Sequence, residues 1–219
     1  MDKRAILFAN GEVESYEFLE KLITDTDYLV AVDGGVRHLE ALGLPPDLLI
    51  GDLDSVTSAQ LKGITARETE VIRFPIEKDE TDLELAFVEV VKRGMEEIVL
   101  IGGLGGRIDH TLANLFLLFL PDLSGKKVSL LTQKEEITVV ERNSVIHGTE
   151  GDIISLIPLK GDANGVTTIG LQYPLTNETL LIERSRGISN RMLADKAEVD
   201  VKKGVLLCVH TWISENGEL

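Results

Sequence analysis

The stretch Leu48-Leu49-Ile50-Gly51-Asp52-Leu53-Asp54-Ser55 decides how the rest of the chain is read. A short run of aliphatic residues reads as a buried strand, and it passes without a linker into an acidic turn. Strand candidates of the same kind lie on both sides: Ala5–Ala9, Tyr28–Val32, Val71–Phe74 and Ile98–Ile101. Between them, Ser15–Ile23, Val36–Leu42, Ser58–Gly63 and Thr81–Arg93 carry helical spacing. In the last of these, Leu83, Ala86, Phe87 and Val90 share one face. Strands alternating with helices predict a parallel sheet covered on both faces. A further helix is expected over Asp109–Leu120, ended by Pro121 and followed by a Ser124-Gly125 turn.

Beyond that turn the rhythm changes. Val128–Leu131, Ile137–Val140, Val145–His147, Ile153–Ile157, Val166–Ile169, Thr179–Ile182, Ala197–Val201 and Val205–His210 are short strand candidates separated by glycines. Short strands without helical stretches predict an antiparallel sandwich or barrel. The expected fold class is α/β: a doubly wound, mostly parallel N-terminal α/β domain over residues 1–125, then a C-terminal antiparallel β-sandwich domain over residues 126–219.

The chain has 219 residues, 43% of them hydrophobic, enough for real cores in both parts. Its 22 basic and 37 acidic residues leave a net charge of −15, which repels a phosphate backbone and argues against nucleic acid as a partner. Cys208 is the single cysteine, so no intrachain disulfide forms, and its apolar surroundings read as core. The apolar run after Arg4 is too short for a signal peptide, and Leu112–Leu120 is too short to span a membrane. The expected location is therefore cytoplasmic, with no membrane association.

In a doubly wound sheet, ligands bind beyond the carboxyl ends of the strands. Four such ends carry acidic or glycine-rich segments: Asp33-Gly34-Gly35, Gly51–Ser55, Lys78–Asp82 and Gly102–His110. Asp52 and Asp54 point the same way if the backbone there is extended, and paired carboxylates suit Mg²⁺, which prefers hard oxygen ligands. They also serve as ordinary turn residues. Asp79 and Asp82 are ambiguous, because Thr81 with Glu84 forms a capping box for the following helix. The Gly102–His110 segment reads as a phosphate loop, with Arg107 as a forked donor and Asp109 at a helix start. It is neither a Walker loop nor a dinucleotide fingerprint. His110 is a weaker candidate, and no histidine spacing supports zinc.

These segments, with Leu83-Glu84 and Asn114, resemble the N-terminal motifs of thiamine pyrophosphokinases. Ser155–Pro158, Gly165–Leu171 with Tyr173-Pro174-Leu175, and Arg186–Asn190 resemble the motifs of that family's β-domain. The ordered combination spans nearly the whole chain. The resemblance implies transfer of a diphosphoryl group from ATP to the hydroxyl of thiamine, giving thiamine diphosphate and AMP. It also implies Mg²⁺ and a homodimer with active sites at the interface. On this resemblance, Asp52, Asp54, Asp79 and Asp82 would surround the metal, while Asp54, Asp82, Arg107 and Asp109 would take part in catalysis. Asp33, Gly34, Gly102, Gly103, Gly105, Gly106, Arg107, His110 and Asn114 would bind ATP. Ser189 and Asn190 would contact thiamine, with Tyr173 or Trp212 as the aromatic partner. A kinase or nucleotidyltransferase acting on another alcohol, and a nucleotide-sensing module without turnover, are the competing readings.

Overall fold

The structure, a computed structural model, describes residues 3–65 and 69–213. The chain divides into two units, Met1–Gln133 and Lys134–Leu219. The first runs β1 (Arg4–Phe8), α1 (Tyr16–Leu22), β2 (Tyr28–Val32), α2 (Val36–Leu42), β3 (Leu48–Gly51), α3 (Ser58–Thr65), β4 (Glu70–Arg73), α4 (Asp82–Lys92), β5 (Glu97–Ile101), α5 (Ile108–Leu117) and β6 (Lys127–Leu131). These strands form an all-parallel array in the order β6-β5-β1-β2-β3-β4. After its first residue β1 is wholly buried, and β2, β3 and β5 show the same absence of alternation. Continuous aliphatic runs produce this because both faces of a parallel sheet are covered.

The strand order sets the location of the site. From β1 the chain builds outward through β2, β3 and β4, then returns to the other side of β1 to lay down β5 and β6. The direction of winding reverses between β1 and β5, the point at which sheets of this kind bind ligands beyond the strand ends.

The helices follow from their sequences. Thr81 caps α4 by accepting the Glu84 backbone N–H on its hydroxyl at 3.2 Å, and Leu83, Ala86, Phe87 and Val90 are buried as the spacing predicts. Full burial of a side chain such as Phe87 stabilises the fold by about 1.5–3 kcal/mol. The helix expected over Asp109–Leu120 begins at Ile108 and ends at Leu117, and a 3₁₀ turn, Pro121–Leu123, follows.

Val128–Leu131, expected to open the antiparallel half, instead lies within β6 and pairs in parallel with β5. The two compact units of this structure part after Gln133. The cause of the parallel pairing is a crossover: α5 returns the chain to the same end of the sheet, so the next apolar run enters parallel.

The second unit contains β7 (Glu135–Val140), β8 (Ser144–His147), β9 (Ile153–Pro158), β10 (Ala163–Ile169), β11 (Glu178–Leu180), β12 (Asn190–Arg191), β13 (Lys196–Asp200) and β14 (Leu206–Thr211), and no helix among its described residues. Its strands form antiparallel arrays, β12-β9-β14-β7 and β11-β10-β13-β8. One core joins them, drawing Val140, Ile154, Leu156 and Leu206 from the first array and Ile146, Val166, Ala197 and Val199 from the second. The β-sandwich reading holds. The two-residue strand β12 has no hydrophobic run to announce it. Cys208 is fully buried, and burial pushes its thiol up to about 12, as expected for a core residue.

A buried polar knot fastens the end of this unit. Asp152 accepts hydrogen bonds from the Thr149 N–H at 2.8 Å, the Ile213 N–H at 3.1 Å and His210 Nε2 at 2.9 Å. Burial alone would raise the Asp152 pKa, but these donors together hold it below the usual carboxylate range.

Candidate active site

The loops after β2 and β3 converge on a group of carboxylates. One oxygen each from Asp33, Asp52 and Asp54 lies within 4.8 Å of the others. The convergence does not come from strand alternation. Leu53 has a left-handed φ of 66° and is only 8% exposed, packed into the apolar core of the unit. Such a conformation strains a leucine, and the burial of its side chain offsets that cost. Asp52 Oδ1 then accepts the Asp54 backbone N–H at 3.0 Å, which closes the turn, and Ser55 Oγ donates to Asp54 Oδ1 at 2.9 Å.

Asp33 opens a 3₁₀ turn, Asp33–Gly35, that leads directly into α2. A Cβ at Gly35 would run into the Phe8 carbonyl, so only glycine lets the turn lie against β1. Asp33 Oδ1 is buried without a hydrogen-bond partner among the described residues. A buried, unpartnered carboxylate oxygen beside two further carboxylates fits a hard cation, which prefers oxygen ligands.

Lys78 closes the group from the loop before α4. Its Nζ lies 3.1 Å from Asp82 Oδ1 and 3.8 Å from Asp52 Oδ2, and it donates to the Pro75 carbonyl at 2.9 Å. The contact with Asp82 Oδ1 is an ion pair without hydrogen-bond geometry, leaving that buried oxygen short of a donor. Burial raises the Asp82 pKa. Lys78 opposes the rise, and Asp52 and Asp33 add to it. Asp79, expected beside these residues, is exposed and lies outside the group formed by Asp33, Asp52 and Asp54.

The glycine-rich loop follows β5, at the point where the winding reverses. Each of its first carbonyls is held from behind: Gly102 O by the Gly11 N–H at 2.8 Å, Gly103 O by Asn114 Nδ2 at 2.8 Å, and Leu104 O by the Glu12 N–H at 3.2 Å. Gly102 has φ 68°, and a side chain there would collide with the loop after β1. With the carbonyls turned inward, the N–H groups of Gly105 and Gly106 make no hydrogen bond among the described residues. The loop thus presents its donors as a phosphate cradle does.

Arg107 ends the loop and pairs with Asp109 through Nε at 3.1 Å and through Nη2. That guanidinium holds the Asp109 carboxyl down to about 2. Both side chains are exposed, as is His110. Asp109 lies in the first turn of α5 but does not cap it; Arg107 occupies the N-cap position.

The second unit organises its own candidates. Asn190 is buried, and its side-chain amide clamps the backbone of Tyr173: Oδ1 accepts the Tyr173 N–H at 2.9 Å, and Nδ2 donates to the Tyr173 carbonyl at 2.7 Å. Oδ1 also accepts the Arg191 N–H at 3.0 Å. Ser189 is exposed with φ 58°, and its N–H donates to Ser155 Oγ at 3.0 Å. The Tyr173 side of this clamp is open to solvent, with the residue 56% exposed. Trp212 is half-buried and stands edge-on to His210, with ring centroids 5.6 Å apart.

Sequence reasoning missed the loop after β1 and its supports. Arg37 Nη2 donates to the Asn10 and Gly11 carbonyls at 2.9 and 2.7 Å, and His38 Nε2 lies 3.0 Å from Gly11 O. The signal was present: Asn10-Gly11 follows an apolar run just as the other turn segments do.

A carboxylate group and a glycine-rich loop beyond the carboxyl edge of a doubly wound sheet define a phosphate-handling α/β protein. Comparison with known proteins narrows the class. The family described as thiamin pyrophosphokinase, catalytic domain, matches residues 19–130, and the one described as thiamin pyrophosphokinase, vitamin B1 binding domain, matches residues 126–206. The chain belongs to the thiamin pyrophosphokinase family. It is 28% identical to the thiamine pyrophosphokinase of Bacillus subtilis over 83% of this chain and 86% of that one. It is 24% identical to thiamin pyrophosphokinase 1 of Caenorhabditis elegans over 94% of this chain and 90% of that one. The crystal structure of the thiamine pyrophosphokinase from Bacillus subtilis superposes with a TM-score of 0.87 at 27% identity, covering 96% of this chain and 99% of that one. Among the described residues, no helix is long and apolar enough to cross a membrane.

Proposed function

We propose that this chain transfers the diphosphoryl group of ATP to the hydroxyl of thiamine, giving thiamine diphosphate and AMP. The observation that carries the reading is the shared edge: a carboxylate group and a glycine-rich loop with inward-turned carbonyls lie beyond the same strand ends, in a chain of this family. The loop amides and Arg107 would bind phosphate oxygens, and Lys78 would add charge beside them. Asp33, Asp52 and Asp54 would hold Mg²⁺, with Asp82 next to them across Lys78. When bound, Mg²⁺ supplies positive charge that neutralises the phosphates and draws them into the acidic site.

Diphosphoryl transfer depends on alignment and charge more than on covalent chemistry. The thiamine hydroxyl attacks the β-phosphorus, AMP leaves, and the hydroxyl proton passes to a carboxylate. Asp109, paired with Arg107, and Asp54 are the candidate acceptors.

Thiamine recognition falls to the second unit. Tyr173 offers an exposed ring to the cationic thiazolium or the pyrimidine, while Trp212 is engaged with His210. Asn190 acts by fixing Tyr173, and the neighbouring Ser189 would contact thiamine from an exposed position. The protein works as a homodimer whose sites combine the first unit of one chain with the second unit of the other. Exposed apolar side chains on both units support this: Ile108, Leu112 and Phe116 at every fourth residue of α5, and Ile169, Ile188 and Leu193 in the second unit.

Incubation with ATP, Mg²⁺ and thiamine, followed by chromatography, tests the proposal. Equal amounts of AMP and thiamine diphosphate are expected. ADP with thiamine monophosphate would make the chain a single-phosphoryl kinase, and nucleotide binding without product would make it a sensor.

A further inference from the structure

We infer that His38, held by Tyr16, is a positioning residue that sets the phosphate loop for ATP. The inference rests on the reading of Gly102–Gly106 as the loop that binds the nucleotide phosphates. His38 lies on α2, is 2% exposed, and touches no residue of the carboxylate group through any hydrogen bond in the structure. Its Nε2 is 3.0 Å from the Gly11 carbonyl oxygen and its Nδ1 is 3.0 Å from the Tyr16 hydroxyl. A carbonyl only accepts, so Nε2 carries the proton, Nδ1 is the acceptor, and Tyr16 donates. Burial, reinforced by the neighbouring Arg37 charge, lowers the His38 pKa and keeps the ring neutral in this role.

The ring lies behind the loop it serves. Gly11 receives His38 on its carbonyl and gives its own N–H to Gly102 O. The next residue, Glu12, gives its N–H to Leu104 O. A Cβ added to Gly102 would come within 3.4 Å of His38 Nε2, so the imidazole also borders the first glycine of the loop directly. The bonded sequence Tyr16–His38–Gly11–Gly102 therefore connects α1, α2, the end of β1 and the end of β5 at the winding reversal. With the Gly102 and Leu104 carbonyls engaged, the Gly105 and Gly106 amides make no hydrogen bond among the described residues. Arg37 holds the same segment through an exposed side chain, at 2.9 and 2.7 Å. His38 does so from a fixed, buried ring.

The test compares His38→Leu, His38→Gln and Tyr16→Phe with the unmodified chain, using steady-state kinetics and calorimetric titration with Mg²⁺–ATP. Leucine keeps apolar volume and removes both hydrogen bonds, whereas glutamine restores an N–H donor toward Gly11. His38→Leu is expected to raise the KM for ATP and weaken ATP binding by roughly tenfold or more, since small misplacements of binding groups are costly. The KM for thiamine should stay within about twofold, because the second unit is untouched. His38→Gln should recover most of the loss, and Tyr16→Phe should show a smaller change of the same kind. An equal rise in both KM values, a fall in kcat alone, or no recovery with glutamine would overturn the inference and leave His38 a core residue. If His38→Leu fails to fold, Tyr16→Phe still decides it: unchanged ATP binding in that variant overturns it. An unmodified chain that binds no ATP would instead remove the proposed function.

Discussion

Lys78 Nζ lies 3.1 Å from Asp82 Oδ1, and both side chains are mostly buried among further carboxylates. In this pair the lysine partly balances the negative charge gathered there. Burial raises the Asp82 pKa above its unfolded value, so folding is favoured by its protonation. That contribution is present at low pH and is lost as pH rises through the raised value. Asp82→Asn should therefore raise the melting temperature of the ligand-free protein near pH 7 by about 2 °C, a small effect because solvent still screens the group. The same change should lower turnover and remove most of the stabilisation that Mg²⁺–ATP gives the unmodified chain. Thermal melts with and without Mg²⁺–ATP check both signs; a lower melting temperature in the ligand-free variant would contradict the electrostatic account.

Arg107→Lys should cost activity without costing stability. The Arg107–Asp109 pair is exposed, so its loss leaves the melting temperature nearly unchanged. A lysine cannot reproduce a forked contact to phosphate oxygens, and kcat/KM for ATP should fall by roughly 10–100-fold. Kinetics equal to those of the unmodified chain would make Arg107 a surface residue.

Asn190→Ala should do both. It leaves the Tyr173 N–H and carbonyl without their partner in a part-buried setting, a loss of about 0.5–1.5 kcal/mol in unfolding free energy. Because the clamp orients Tyr173, the KM for thiamine should rise while that for ATP stays close to its original value. Denaturant titration and two-substrate kinetics read the two effects separately.

The shared-site arrangement has its own test. Asp54→Asn and Ser189→Ala subunits should each be nearly inactive alone. Mixed under conditions that exchange subunits, they should form heterodimers with one working site in two. No recovery in subunits shown to have exchanged would mean that each chain completes its own site.

How much of this was legible in the sequence depends on what local patterns encode. The parallel strands were readable because aliphatic runs such as Leu48–Ile50 need cover on both faces. Helix α4 was readable because Thr81 and the spacing of Leu83, Ala86, Phe87 and Val90 both fix it. The assignment of β6 was not, because parallel and antiparallel pairing use the same residues and only the crossover through α5 distinguishes them. At the site, the gathering of Asp52 and Asp54 was anticipated, but through an extended backbone. The turn that gathers them depends on Leu53 tolerating a left-handed conformation, which spacing does not reveal. Asp33 was expected to bind ATP, and its place in the carboxylate group appears only once β2 and β3 lie side by side. Asn190 was singled out through family resemblance, while its clamp on Tyr173 depends on pairing across 17 positions of sequence.

The central claim is that both terminal phosphates of ATP move together to thiamine. The most direct measurement uses ATP labelled at the β-phosphorus, incubated with the chain, Mg²⁺ and thiamine, and follows the label. The account predicts that all transferred label appears in thiamine diphosphate and that the AMP released carries none. Label retained in a nucleotide diphosphate, with only the γ-phosphoryl group on thiamine, would contradict it.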